Sequence, residues 1–225
     1  MKYLLLHISV LFTVCGYAQV ADFGLVDDMK MIVESEQKTA VGKLAYKANV
    51  NTVNYDVTYH RLEWEVDPSK AQIKGKVTSY YKALQDMDQI TFDLSSNLTV
   101  SRVSQRSLDL SFTQNANDEL IINLPTTQKQ NVIDSLSITY SGNPVSSGFG
   151  SFEVSTHGNS LTPVLWTLSE PYGAKGWWPC KQDLIDKIDS IDVYISHPSA
   201  YKAASNGLLL SETNNGAQKM THWKH

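Results

Sequence analysis

Tyr55-Asp56-Val57-Thr58-Tyr59-His60-Arg61-Leu62-Glu63-Trp64-Glu65-Val66 reads as a β-strand. Tyr55, Val57 and Tyr59 alternate with polar residues, and so do Leu62, Trp64 and Val66. A period of two buries one face of a pleated strand and wets the other. The phase slips by one residue between Tyr59 and Leu62, which predicts a bulge. Asp67-Pro68-Ser69 then supplies a turn.

Downstream the pattern repeats. Strands are expected at 73–81, 90–94, 98–103, 108–112, 120–124 and 136–140, with Asp, Asn, Ser or Gln in the gaps. Short strands at a spacing of about 8–12 residues indicate an antiparallel all-β sandwich. No long helical pattern follows residue 50, which argues against βαβ units. Ser141-Gly142-Asn143-Pro144 closes this series. Residues 142–158 carry four Gly and several Ser and read as a long surface loop. Further strands are expected at 161–166 and 191–195. Asn206-Gly207 predicts a hairpin turn between 203–205 and 208–210. His225 falls within another strand pattern, whose backbone groups need partners.

Upstream, Lys2 and the apolar run from Tyr3 to Val14 read as an export leader, with cleavage expected after Gly16-Tyr17-Ala18. The run is too short to cross a bilayer, and no later segment reaches the roughly 20 apolar residues that a spanning helix needs. The protein is therefore expected to be exported, to the periplasm, the cell surface or the medium. Residues 19–50 read as a short helical extension, with Asp27 and Asp28 at a helix start and Met29, Ile32 and Val33 as its apolar stripe. The domain proper is expected over 51–225.

The formal net charge is −4, and no basic run is present, which excludes an electrostatic footprint for nucleic acid. A hydrophobic fraction of 42% supports a packed core. Cys15 leaves with the leader, so Cys180 stands alone and no intrachain disulfide is expected. Between Trp177-Trp178-Pro179 and Lys181, Cys180 is expected to be buried.

No catalytic centre emerges from the residues themselves. None of the six His is followed by Glu, so the paired-His zinc motif is absent. His222 and His225 have ligand-like spacing, with Cys180 as a conceivable third ligand, but read as polar positions. No Gly-x-Ser-x-Gly elbow occurs, and Gly148-Phe149-Gly150-Ser151-Phe152 lacks the rest of a phosphate loop. Asp183, Asp186, Asp189 and Asp192 recur every three residues and read as a solvated turn leading into a strand.

Chemistry concentrates at Trp166-Thr167-Leu168-Ser169-Glu170-Pro171-Tyr172-Gly173-Ala174-Lys175-Gly176-Trp177-Trp178-Pro179-Cys180. Glu170 sits among aromatic residues, where a carboxylate is expected to be partly desolvated. Its residue-level reading stays open between a carboxylate tied to a local amide or Lys175 and one held for a ligand.

This segment resembles the signature of the amino-terminal domain of the aminopeptidase N family, the gluzincin zinc aminopeptidases. That pattern runs Thr-x-x-Glu/Gln-x-x-x-Ala-Arg, an aromatic, Pro-Cys, an acidic loop and Lys. Thr167, Glu170, Ala174, Trp178, Pro179, Cys180, Asp183 and Lys187 match it, while Lys175 stands in the Arg position. Gln182-Asp183-Leu184 replaces the common Asp-Glu-Pro. The first strand from Asn54, the segment Gly148 to Phe152 and Ser205-Asn206-Gly207 also resemble the family, so the likeness covers about Asn51 to His225. Leader style and substitutions resemble members from the Bacteroidetes group.

The resemblance implies a saddle-like antiparallel β-sandwich that caps a peptide cleft. Glu170 would then help bind the α-amino group of a peptide substrate. It also implies zinc and a general base in a catalytic domain of the same polypeptide, with no catalytic residue and no metal ligand in this chain. Two other readings compete. One is a carbohydrate- or protein-binding β-sandwich with Trp166, Trp177 and Trp178 as an exposed stacking platform. The other is a non-catalytic scaffold related to the family.

Overall fold

The computed structural model describes residues 49–145, 151–170 and 172–225, with Met29, Lys30, Val33 and Gln37. The expected leader and nearly all of the expected helical extension lie outside the described residues. So do Gly148, Phe149, Gly150 and Pro171.

Strands come in chain order as β1 (Tyr55–Val66), β2 (Ile73–Ala83), β3 (Met87–Asp93), β4 (Leu98–Gln105), β5 (Leu108–Asp109) and β6 (Phe112–Gln114). They continue as β7 (Glu119–Gln128), β8 (Ile133–Gly142), β9 (Glu153–His157), β10 (Thr162–Trp166), β11 (Ser190–Pro198), β12 (Leu208–Asn215) and β13 (Gln218–Lys224). One sheet of eight strands has the order β12-β13-β11-β1-β2-β8-β4-β5. A second sheet is β3-β7-β6, and β9 and β10 form a separate hairpin. The expected all-β sandwich is present, and among the described residues all strand pairings but one are antiparallel. The exception is β1 with β11, which run parallel.

Two layers close on one core. Leu62, Val77, Leu136 and Ile138 of the large sheet meet Ile90, Phe92, Leu120 and Ile122 of the small one in a single buried cluster. Tyr55 links the layers: its ring lies 5.6 Å from Phe92 and its hydroxyl donates to the Thr91 carbonyl at 2.7 Å. The β1 bulge falls at Thr58, between Val57 and Tyr59. It reverses the phase, so the buried face continues through His60 and Leu62 while Tyr59 turns to the outer face.

Several expectations need correction. Residues 108–112 are not one strand. The chain corners at Leu110, so β5 ends the large sheet and β6 joins the small one. The expected surface loop over 142–158 contains β9, and its Ser151 and Phe152 are buried. Polar β9 is held by its pairing with β10 rather than by apolar alternation. The last hairpin turns at Gly216, beside Asn215, and not at Asn206-Gly207. Gly207 has a φ of +88° and leads into β12. A Cβ there would lie 2.0 Å from the Lys224 carbonyl oxygen, so close approach rather than a hairpin demands this glycine. The strand near His225 is β13. It is paired on both sides, and β12 is the edge.

Two packing details carry predictions. Gly75 faces Tyr140: a Cβ would sit 2.5 Å from that ring. Tyr140 cannot yield freely, because its hydroxyl accepts from Trp64 Nε1 at 3.1 Å and donates to the Trp177 carbonyl at 3.0 Å. Gly75→Ala is therefore expected to destabilise the chain by about 1–3 kcal/mol in urea unfolding, as overpacking does. Unchanged stability would contradict this packing.

His60 is buried, with Nδ1 2.9 Å from the Ser79 hydroxyl and its ring edge-on to Trp178 at 5.3 Å. Burial pushes its pKa down from 6.5 to about 4, against an opposing pull from Asp186. A folded pKa below the unfolded one favours the neutral ring in the native state. That contribution is complete above pH 6.5 and is lost as pH falls through about 4. Against His60→Gln, the stability advantage of the parent is expected to shrink by about 3 kcal/mol between pH 7 and pH 4. A pH-independent difference would refute it.

Candidate functional site

After β10, Thr167 and Leu168 lie outside regular secondary structure, and a turn begins at Glu170. The Gly173 amide donates to the Ser169 carbonyl at 2.8 Å, closing the turn that carries Glu170. A short 3₁₀ turn, Ala174–Gly176, follows and delivers Trp177 into the core. The Trp177 ring packs 4.6 Å from Trp64, 6.1 Å from Phe152 and 6.2 Å from Trp178.

Both ends of the loop are held from inside. Trp177 Nε1 donates to Ser169 Oγ at 2.9 Å. Ser151 Oγ, fully buried, donates to the Gly173 carbonyl at 2.5 Å. A Cβ on Gly176 would lie 2.7 Å from Ser151 Oγ, so glycine is what lets the two segments touch.

Further along, the segment is tied to the small sheet. Asp93 and Cys180 exchange backbone hydrogen bonds at 2.7 and 3.0 Å. The Ser95 amide donates to the Lys175 carbonyl at 2.8 Å. Lys175, in the family's Arg position, makes a single-point ion pair with Asp118 at 3.0 Å. A point charge suffices for one carboxylate oxygen, where Arg would offer a planar fork. Lys181 is buried against Asp186 at 2.5 Å and donates to the Tyr55 carbonyl at 2.6 Å.

Glu170 is exposed. The expected partial desolvation among the tryptophans is therefore corrected: the loop lifts the carboxylate off the cluster. Among the described residues it makes no hydrogen bond or ion pair, and Lys175 is committed to Asp118. An exposed carboxylate on a pinned loop is suited to accept hydrogen bonds from a cation.

Other candidates fare differently. Trp177 is only 7% exposed and its plane is 65° from that of Trp178, so these rings do not form a stacking platform. Trp166 is exposed, at the end of β10. Cys180 is buried as expected, and burial, reinforced by Asp93, pushes its thiol pKa well up. The acidic series is not a solvated turn throughout. Asp186 is buried with Lys181, and Asp192 is buried between Tyr59 and His222. Burial raises the Asp192 pKa, but its bonds from His222 and Tyr59 outweigh this and hold it below the usual range.

The residues present do not fit a zinc site. His222 Nε2 is engaged by Asp192 at 2.5 Å, and His60 and His197 are buried. Among the described residues, no group of three or more His, Cys, Asp or Glu is placed to hold a metal ion.

Sequence reading missed the buried hydroxyl of Ser151 and the Ser169 hydroxyl that accepts from the Trp177 indole. Ser151 lay in the quoted Gly-Phe-Gly-Ser-Phe segment, where a lone Ser before a core Phe was the available signal.

Comparison with known proteins agrees with this architecture. The chain is similar to an M1 zinc metallopeptidase variant from Deinococcus radiodurans, with 23% identity and a TM-score of 0.68 over 76% of this chain and 39% of that one. The same variant bound to a Tyr-Ser-Ala substrate gives 22% identity and a TM-score of 0.65 over 76% of this chain and 39% of that one. A two-domain M1 zinc metallopeptidase variant bound to L-arginine gives 23% identity and a TM-score of 0.65 over 77% of this chain and 40% of that one. At this identity the likeness shows the fold, and the chain spans about two fifths of the length of these relatives. A search of curated proteins finds no match. The profile of the peptidase M1 N-terminal domain matches residues 51–225. The chain belongs to the peptidase M1 N-terminal domain family.

Proposed function

We propose that this chain is the amino-terminal β domain of an exported zinc aminopeptidase, and that Glu170 receives the α-ammonium group of a peptide substrate. The observation that carries the reading is the Glu170 carboxylate, exposed on a loop pinned at both ends, inside the segment that matches the family. A protonated amine is matched by a fixed negative partner once the cleft excludes water. Holding that amine fixes the register of the peptide, so that the first peptide bond is the one presented for cleavage. The Tyr-Ser-Ala peptide and the L-arginine bound by two matched relatives each carry a free α-amine, which fits the same chemistry.

Zinc and the general base belong, on this reading, to the catalytic domain of the same polypeptide, with this domain capping its cleft. Export rests on the leader-like residues 1–18. No helix among the described residues is long and apolar enough to cross a membrane.

Two outcomes follow. The purified 225-residue chain is expected to release no aminoacyl reporter and to hold no stoichiometric zinc on metal analysis; hydrolysis by the chain alone would contradict the reading. In the full-length polypeptide, Glu170→Ala is expected to lower kcat/KM by roughly 30-fold, about 2 kcal/mol for one charge-assisted contact. Unchanged kinetics would remove Glu170 from the site.

A further inference from the structure

We infer that Ser151 and Trp177 are positioning residues for the Glu170 carboxylate, fixing where a substrate amine is met. The inference rests on the reading of Glu170 as the amine-binding group. It starts from an oddity of burial. Ser151 has no exposed surface, yet its hydroxyl serves neither the core nor a sheet ladder. It donates instead to the carbonyl of Gly173, at the foot of the exposed loop. Its own backbone is immobilised because Phe152, the next residue, is buried against Trp177.

The second stake comes from the opposite end. Trp177 is held by its ring contacts, and its carbonyl accepts from Tyr140. Its indole N–H reaches Ser169, the residue before Glu170. Between the two stakes the Gly173 amide closes the loop on the Ser169 carbonyl. Crowding narrows it further: a Cβ on Gly173 would sit 3.3 Å from Leu168 O, Ser151 Oγ and Ser169 Cα. Three hydrogen bonds thus define the backbone that carries one exposed carboxylate. A long Glu side chain has several free torsions, so the backbone beneath it decides how much order binding must still impose. Rigid support of a binding group raises affinity without touching the ligand.

The test uses the full-length enzyme and four variants: Ser151→Ala, Trp177→Phe, Glu170→Ala and the double variant Ser151→Ala/Glu170→Ala. Trp177→Phe keeps a ring and deletes the N–H. Each is assayed on an aminoacyl substrate and for inhibition by a product amino acid and its deaminated analogue. Loss of one hydrogen bond predicts that Ser151→Ala and Trp177→Phe each lower kcat/KM about 5- to 10-fold. The weakening should appear for the amino acid and not for the deaminated analogue. In the Glu170→Ala background, Ser151→Ala should add nothing further. In the 225-residue chain, Ser151→Ala should also speed hydrogen exchange at the Gly173 amide while the β1 and β2 amides keep their protection.

Additive losses, equal weakening toward both inhibitors, or Ser151→Ala kinetics at the parent level would overturn the inference while leaving Glu170 in its role. Unfolding of both Ser151→Ala and Trp177→Phe would make them structural and overturn it as well. Parent kinetics for Glu170→Ala would instead bring down the reading beneath it.

Discussion

The indole of Trp177 joins the interior of this domain to the exposed loop that carries Glu170. Its ring lies among Trp64, Phe152 and Trp178, its carbonyl is bound by Tyr140, and its N–H holds Ser169. Burial of a ring this large fixes both the ring and the groups attached to it. The location of Glu170 is therefore a consequence of core packing and not of the loop's own propensity. Ser151 repeats the device from the other side, with a hydroxyl that is buried because Phe152 beside it is buried.

The two sheets have different duties in this arrangement. The large sheet supplies the floor: β1, β2 and β8 bring Trp64, Gly75 and Tyr140 together under Trp177. The small sheet supplies the anchor downstream. Asp93 binds Cys180 through the backbone and, through its carboxylate, the amides of Asn49 Nδ2 and Gln182. Lys181 and Asp186 then fasten the following loop to β1 at Tyr55 and Val57. Breaking a buried pair of this kind by removing one partner leaves an uncompensated charge, which is why such pairs hold segments in place.

Much of this was legible in the residues. A strand with clean alternation, such as that at Ile73, declares its faces through a period of two. The turn at Asp67-Pro68-Ser69 and the burial of Cys180 were readable for the same local reasons. The parallel pairing of β1 with β11 was not, because it joins distant segments and leaves no mark on either periodicity. Polar β9 was hidden by its Ser, Thr and Glu content. The final hairpin was misplaced because two Asn-Gly pairs compete, and only the flanking register decides which one turns the chain. Glu170 drew attention through its neighbours, yet those neighbours misled about its environment. Trp177 packs inward while Trp166 and Glu170 stay exposed. Adjacency along the chain fixes composition; hydrogen bonds to Ser169 and Gly173 fix direction.

A crystal structure of the full-length polypeptide with a bound amino acid would show whether this carboxylate meets the ligand's amine. A Glu170 oxygen is expected within about 3.2 Å of the ligand's α-nitrogen, the range of a charge-assisted hydrogen bond. A ligand amine held wholly by other groups, with Glu170 turned to bulk solvent, would contradict it.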